Sequence, residues 1–177
     1  MSNIYIRNLY SPGFSSITFS FYKTNLSIRF TPWINKNQTG RSQYDTKRFV
    51  STTISDESAA SLYYLATKIV DDDQSNPVQY LIQCNNQTIL RFEYDENKAI
   101  LIIEKDGERI IFEFAVHQYR VKENGQVVTK IIQAGLLAFS EVLYAYLTAI
   151  GEDVQHEPQP ETEFSESQSH MPVYSWR

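Results

Sequence analysis

The stretch from residue 16 to residue 33 carries large aromatic and basic side chains among small hydroxyl residues. Tyr22, Arg29 and Trp33 fall on positions that one exposed strand face would share, and Ser or Thr occupies the positions between them. Exposed rings stack on unpaired bases, at about 1–3 kcal/mol per base, while Lys and Arg neutralise phosphates. The pattern favours single-stranded nucleic acid over duplex. The predicted contact residues are Tyr22, Lys23, Arg29, Trp33, Lys36, Arg41, Tyr44, Lys47 and Arg48.

Charge is distributed unevenly along the chain, although the net charge is only −5. Residues 1–54 carry seven basic residues and one acid, Asp45, whereas residues 151–177 carry six acids and one base, Arg177. Residues 76–150 have a net charge of only −2. Because phosphates are attracted to basic surfaces, nucleic acid is expected on the first third of the chain.

Residues suited to catalysis or metal binding are sparse. Cys84 is the single cysteine, which excludes an internal disulfide and a Cys-rich metal site. Two of the three histidines lie in the last 22 residues, and His117 has no obvious nucleophile or carboxylate partner in its predicted strand. The six glycines are scattered and form no phosphate-binding loop. The sequence therefore predicts a non-catalytic protein with no cofactor and no metal site.

Apolar residues at every second position predict most of the strands. The alternation indicates a hairpin over residues 16–33, strands at 4–10 and 47–54, and a polar loop at 35–46. Ser55 then caps a helix whose core-facing stripe is Ala59, Leu62, Ala66 and Ile69. Further strands are predicted at 78–84, 88–94, 99–105, 108–121 and 127–132, followed by a helix at 136–150 that Gly151 ends.

The two predicted helices align without gaps at an offset of 81 residues. Leu62-Tyr63 matches Leu143-Tyr144, and Ile69 matches Ile150. This match and the order of elements predict an α+β fold in which two antiparallel four-stranded sheets are each followed by a helix, a duplicated β-β-β-β-α unit. Residues 1–150 would form a single domain, with repeat one at about 3–73 and repeat two at about 77–150.

The C-terminal segment, residues 151–177, is rich in Glu, Gln, Ser and Pro, which predicts a disordered acidic tail. Tyr174 and Trp176 near its end are candidates for docking by a replication partner, and a solubilising tail without a partner is the alternative. The sequence begins without an apolar signal segment and has no uninterrupted apolar run of 18 residues. We therefore expect an intracellular, cytoplasmic protein without membrane contact, in the host cytoplasm if the protein is viral.

Two segments resemble the Whirly family of single-stranded-DNA-binding proteins. Residues 21–28 (FYKTNLSI) resemble the place where that family has an apolar residue, Tyr, Lys and then Leu-Ser-Val, and residues 41–51 (RSQYDTKRFVS) resemble its Arg-Gln-Tyr-Asp stretch. Two β-β-β-β-α units are the architecture of that family and of trypanosome guide-RNA-binding proteins. The coactivator PC4 is a single-copy form, and related proteins occur in bacteriophages. The resemblance implies binding of single-stranded DNA on sheet faces by a dimer or tetramer.

These features together predict a homo-oligomer that binds single-stranded DNA with little sequence preference, in replication, recombination or repair. Two alternatives stay open at this point. One is binding of single-stranded RNA, and the other is a structural or adaptor domain whose aromatic face contacts a protein.

Overall fold

The computed structural model describes residues 4–36, 39–84 and 87–156 of the 177-residue chain. Five strands precede the first helix, α1, and six more lie between α1 and the second helix, α2. In chain order the elements are β1 (Tyr5–Ser11), β2 (Ser15–Phe21), β3 (Leu26–Lys36), β4 (Ser42–Tyr44), β5 (Val50–Ile54), α1 (Asp56–Val70), β6 (Val78–Gln83), β7 (Ile89–Asp95), β8 (Lys98–Lys105), β9 (Glu108–Glu113), β10 (His117–Glu123), β11 (Gln126–Ile132) and α2 (Ala134–His156).

Sheet 1 contains β1 to β5 and is antiparallel throughout. β1 pairs with β2 and β2 with β3, while the long strand β3 has two partners on its other edge. Its first half pairs with β5, and its second half, from Trp33 onward, pairs with the short strand β4. Alternate residues of β2 and β3 are fully buried, namely Ile17, Phe19, Leu26, Ile28 and Phe30. These residues form the inner face of sheet 1.

Sheet 2 contains β6 to β9 in sequential antiparallel order. Two of its connections are two-residue turns, at Glu96-Asn97 and Asp106-Gly107, in which both residues have positive φ. Such turns match the twist of the flanking strands. The edge of sheet 2 at β9 is covered by the β1–β2 hairpin, because Ser15 Oγ donates to Ile111 O at 2.7 Å and Ser11 Oγ donates to Glu113 O at 2.7 Å. These contacts join sheets 1 and 2.

β10 and β11 form a separate two-stranded sheet, which we call the hairpin arm. The chain leaves sheet 2 after Phe114 and returns at Gly135, whose N–H donates to Ala115 O at 2.9 Å. A Cβ on residue 135 would lie 2.4 Å from Ala115 N, so this close approach requires glycine. The base of the hairpin arm is therefore closed by backbone contact, while nearly all of its side chains are exposed.

Both helices pack in one hydrophobic core with the inner faces of sheets 1 and 2. The predicted stripe of α1, Ala59, Leu62, Ala66 and Ile69, is buried, and Ser55 caps the helix by accepting from Ser58 N. The fully buried residues of α2 are Leu136, Phe139, Val142, Leu143 and Tyr146. Over Ala134–Gly151 the mean hydropathy is 1.4, so by length and composition alone α2 is able to cross a membrane. One third of this segment is buried, on the side of α2 that packs in the core.

The predicted fold class, two antiparallel four-stranded sheets each followed by a helix, is wrong. The structure is 51% strand, and its described residues form eleven strands in three sheets with two helices. Residues 42–44, which were expected in a loop, extend sheet 1 to five strands. The single strand predicted over 108–121 is divided into β9 and β10, so the hairpin arm stands between sheet 2 and α2. No turn residue marks the break at 114–116, which explains why the alternation pattern missed it.

Gly151 does not end α2, which continues to His156. A glycine ends a helix only where the backbone turns into the left-handed region, and Gly151 lies within the helix instead. The predicted disordered tail over 151–177 therefore begins too early, because its first six residues are helical. The remainder of the predicted tail, with Tyr174 and Trp176, lies outside the described residues.

Tyr146 of α2 contacts the start of α1 and the β2–β3 turn through its hydroxyl group, and β2 through its ring. The hydroxyl donates to Asp56 Oδ1 at 2.5 Å and accepts from Asn25 N at 2.9 Å, and the ring contacts Phe21 edge-on at 5.3 Å. Burial, together with the hydrogen bond to Asp56, raises the pKa of Tyr146 from 10.0 to about 12. The neutral hydroxyl is thus the form that the fold stabilises.

We expect Tyr146→Phe to lower the free energy of unfolding by about 1–2 kcal/mol at neutral pH, because two polar partners lose their hydrogen bond. A raised pKa in the folded state means that this contribution is complete below pH 10 and is lost as the pH rises toward about 12. Urea unfolding at pH 7 and at steps up to pH 12 measures both effects. Tyr144→Phe, at an exposed position two residues away, is the control and should match the wild type. Equal stability of the two variants at pH 7 would contradict the expectation.

Candidate nucleic-acid interface

The outer face of sheet 1 is the side opposite the core. Strand pairing places the outward side chains in two adjacent rows across the sheet. One row contains Asn8, Thr18, Arg29 and Ser51, and the other contains Ser20, Ser27 and Thr53. With Ser16 and Thr31 included, seven small hydroxyl residues and one cation therefore lie on β2, β3 and β5 of this face. Because Thr18, Ser20, Ser27 and Ser51 are only half-buried and Arg29 and Thr53 are exposed, most of this surface is open.

An aromatic cluster formed by Tyr10, Trp33 and Tyr44 lies at one end of the outer face. Trp33 is directly opposite Tyr44 in the β3–β4 pairing, and the rings of Tyr10 and Tyr44 are 5.7 Å apart. Tyr10 belongs to β1 and Tyr44 to β4, so their rings meet across the two strands between them. Ser16 and Thr31 lie at this level of β2 and β3 and are only 8% exposed, which is consistent with aromatic rings above them.

Arg29 and Phe49 form a second contact surface beside the aromatic cluster. The guanidinium carbon of Arg29 lies 4.3 Å from the centre of the Phe49 ring, a cation–π arrangement. Phe49 is 45% exposed, so the ring keeps one side open to solvent while Arg29 contacts it. A flat cation beside an exposed ring is suited to a ligand that has both a planar aromatic part and a negative charge.

Basic residues border the outer face at the β4–β5 connection. Lys47 and Arg48 are exposed, and Arg41 is exposed just before β4. Asp45 is the one acid of residues 4–54, and its carboxylate accepts from the Lys47 backbone N–H at 3.1 Å. Arg48 faces Glu108 at 3.7 Å with both side chains more than half exposed, and such a pair contributes only about 0–1 kcal/mol. A phosphate group can therefore replace Glu108 as the partner of Arg48 with little loss of free energy.

Two polar groups of the aromatic cluster are removed from water. Burial raises the pKa of Tyr44 above its ordinary value of 10.0, so its hydroxyl is neutral at physiological pH. Trp33 Nε1 is buried and has no hydrogen-bond partner among the described residues. A buried N–H without an acceptor costs about 1–3 kcal/mol and is unusual in native structures.

The structure brings some of the predicted contact residues together and separates others. Arg29, Trp33 and Tyr44 share the outer face, and Lys47, Arg48 and Arg41 lie along its border. Tyr22 and Lys23 lie instead at the β2–β3 turn, where Lys23 Nζ is 5.4 Å from the Tyr22 ring. That turn is roughly 23 Å from Trp33, given about 3.3 Å per strand residue. Lys36 is placed at the end of β3, and its side chain is outside the described atoms.

Tyr10 and Phe49 were not among the predicted contact residues. Residues 5–11 (YIRNLYS) do not alternate between apolar and polar side chains, so the sequence did not show which face of the strand Tyr10 is on. In the structure most residues of β1 are exposed or half-buried. A correct register between β1 and β2 would have identified it, since Tyr10 is opposite Ser16. Phe49 was assigned to a predicted strand, and only the β3–β5 pairing places it beside Arg29.

The outer face of sheet 2 differs from that of sheet 1 because its charges are already paired with each other. Arg91 lies 3.7 Å from Glu93 and 3.8 Å from Glu104, and Arg109 lies 3.7 Å from Glu104. At the end of this face Lys98 pairs with Glu113 at 3.3 Å. A surface with alternating, mutually neutralised charges does not attract phosphate, so the two sheets differ in electrostatic character as the sequence predicted.

The described residues contain no group of three or more His, Cys, Asp or Glu side chains arranged to hold a metal ion. Comparisons with protein-family models, with curated proteins and with solved structures found no match to this chain. The resemblance to the Whirly family therefore stays a prediction, and the geometry of the outer face carries the functional argument.

Proposed function

We propose that this protein is a non-catalytic single-stranded-DNA-binding protein that acts in replication, recombination or repair and binds through the outer face of sheet 1. The observation that carries the proposal is the combination, on one open face, of the aromatic cluster and the Arg29–Phe49 pair among small hydroxyl residues. Rings on such a face offer stacking surfaces that suit any base, which is why little sequence preference is expected.

The energetics of exposed rings support this proposal. Tyr10 and Phe49 are 59% and 45% exposed, so each loses the free energy that burial would provide. Stacking of a base covers the ring and contributes about 1–3 kcal/mol. The small side chains of β2 and β3 leave room above the sheet for bases, and their hydroxyl groups can donate to or accept from base edges.

Electrostatics support a single-stranded polyanion as the ligand. Arg29, Arg41, Lys47 and Arg48 surround the aromatic residues, and four phosphate contacts on a single strand give a slope of log affinity against log salt of about −3. An increase from 50 to 200 mM salt would then weaken binding roughly 50-fold. Duplex DNA is a poorer fit because its bases are stacked on each other and cannot cover the rings.

A titration with single-stranded DNA, single-stranded RNA and duplex DNA of one sequence, at 50 and 200 mM salt, tests the proposal. Trp176→Phe leaves Trp33 as the single tryptophan, so quenching of its fluorescence reports on the aromatic cluster. We expect quenching by single-stranded DNA that weakens with salt, and little binding of duplex. Tighter binding of RNA would assign the surface to RNA. No binding of any single strand at low salt would contradict nucleic-acid binding altogether and favour a protein-binding adaptor.

A further inference from the structure

Among the residues that the structure describes, the hairpin arm is a two-stranded sheet in which one unpaired edge lacks the usual protection. Isolated two-stranded hairpins are at best marginally stable in water, and exposed strand edges normally carry charges that prevent pairing with another chain. β10 follows this rule, with Arg120, Lys122 and Glu123. β11 does not, because five of its seven residues are β-branched and Lys130 is its one charged residue. Val127 and Ile131 of β11 are 61% and 41% exposed.

The turn of the hairpin arm determines which residues direct their backbone groups toward this edge. Asn124 and Gly125 both have positive φ and form a two-residue turn, so Glu123 and Gln126 are a hydrogen-bonded pair. Hydrogen-bonded and non-hydrogen-bonded pairs alternate along an antiparallel ladder. Val127, Thr129 and Ile131 therefore point their N–H and C=O groups away from β10.

We propose that β11 pairs antiparallel with β11 of a second copy of this chain, about a two-fold axis at Thr129. In this register each Thr129 is opposite the other, and Val127 of one copy is opposite Ile131 of its partner. The three outward N–H groups of each copy then meet three outward C=O groups of the other. Pairs of β-branched residues are favourable across strands, and Lys130 is opposite Val128, so no like charges face each other.

Pairing of β10 with β10 of a second copy about a two-fold axis is unfavourable, so β11 is the strand that pairs. The outward backbone groups of β10 belong to Gln118, Arg120 and Lys122, because these residues occupy the non-hydrogen-bonded positions of the ladder. A two-fold axis at the centre of β10 would place Arg120 opposite Arg120 of the other copy. Like charges directly opposite each other destabilise a strand pair.

The surroundings of β11 are complementary in charge to a second arm. A groove of about 550 Å³ runs between the C-terminal end of α1 and β11, which contributes Thr129, Lys130 and Ile131 to its wall. The far wall carries Asp71 and Asp72, and the exposed Asp73 follows. The hairpin arm itself carries Arg120, Lys122 and Lys130 against Glu123, a net charge of +2. A basic side chain of the second arm that reaches this groove therefore meets opposite charge, and the two-fold axis makes the contact reciprocal.

Sedimentation of the full-length chain without nucleic acid, over a range of concentrations, tests this dimer with the variants Thr129→Glu and Thr129→Gln. Within one chain the carboxylate that Thr129→Glu introduces would be opposite Arg120, a favourable pair that keeps the hairpin arm intact. Across the two-fold axis two such carboxylates would face each other, so we expect the dissociation constant to rise about tenfold or more, while Thr129→Gln stays close to wild type. A wild-type chain that is monomeric at about 100 μM, or a Thr129→Glu chain that dimerises like Thr129→Gln, would overturn the proposal.

A second pair of variants tests the register itself and does not depend on residue 129. Val127→Glu with Ile131→Glu places carboxylates opposite each other across the axis, whereas Val127→Glu with Ile131→Lys places opposite charges there. Within one chain, residue 127 is opposite Lys122 and residue 131 is opposite Gln118, so both variants keep the same favourable pair inside the hairpin arm. We expect the glutamate–glutamate chain to be monomeric and the glutamate–lysine chain to dimerise, with matching far-UV circular dichroism. Equal association of these two chains would show that β11 does not pair in this register.

Discussion

Phe139→Ala is expected to lower the free energy of unfolding by about 3–5 kcal/mol, a large part of the roughly 5–15 kcal/mol typical of a protein of this size. Phe139 is fully buried in α2. Its ring centre lies 5.5 Å from that of Phe19 on the inner face of sheet 1 and 5.2 Å from that of Phe114 at the end of sheet 2. Truncation to alanine would leave a cavity where these three elements meet.

Denaturant unfolding followed by far-UV circular dichroism and by Trp33 fluorescence, in the Trp176→Phe background, measures this loss. Because one hydrophobic core contains residues of both sheets and both helices, the two signals should change together in a single transition. Leu137→Ala, two residues away on the exposed side of α2, is the matched control, with an expected change within about 0.5 kcal/mol. A loss below about 1 kcal/mol in Phe139→Ala, or two separate transitions in the wild type, would contradict the shared core.

Replacement of both Tyr10 and Phe49 by alanine is expected to weaken binding of single-stranded DNA by about 100-fold, if each ring stacks on one base. Both side chains are substantially exposed, so their truncation should leave the fold intact. Phe49→Ala also removes the ring that Arg29 contacts at 4.3 Å. The loss of affinity in the double variant should be the same at high salt, because stacking, unlike phosphate contact, releases no counterions.

The matched control is the double variant Tyr64→Ala and Tyr144→Ala, which removes two exposed rings from the helices rather than from the outer face of sheet 1. Its affinity for single-stranded DNA should stay within about twofold of wild type. Fluorescence anisotropy with a labelled oligonucleotide gives both dissociation constants. If the helix variant loses as much affinity as the Tyr10 and Phe49 variant, then the outer face of sheet 1 is not the binding surface.

Several local features of the fold were predictable because neighbouring residues determine them. Alternation of apolar residues identified the strands of the first hairpin, in which Ile17, Phe19, Leu26, Ile28 and Phe30 are buried. The turn at Asn124-Gly125 and the helix cap at Ser55 follow from the conformational preferences of single residues. The match of the two predicted helices at an offset of 81 residues suggested a duplicated unit and led to an incorrect description of the sheets around them.

Strand partners were less predictable, because pairing depends on residues far apart in the chain. Ser42–Tyr44 is too short for an alternation pattern, and it is a strand only because the second half of β3 has a free edge there. The break after Phe114 depends on the contact between Ala115 and Gly135, which are twenty residues apart. Nothing within residues 108–121 signals that contact.

The sequence by itself determined that the first 54 residues are basic, that one face of the first hairpin is lined by hydroxyl and aromatic residues, and that catalytic groups are sparse. Only the tertiary structure decided which of these residues lie together on one surface. It joined Tyr10 to Tyr44 and Arg29 to Phe49, and it placed Tyr22 and Lys23 at the opposite end of the sheet. The physical reason is that side-chain alternation is a property of one strand, whereas a binding surface is made by the register between strands.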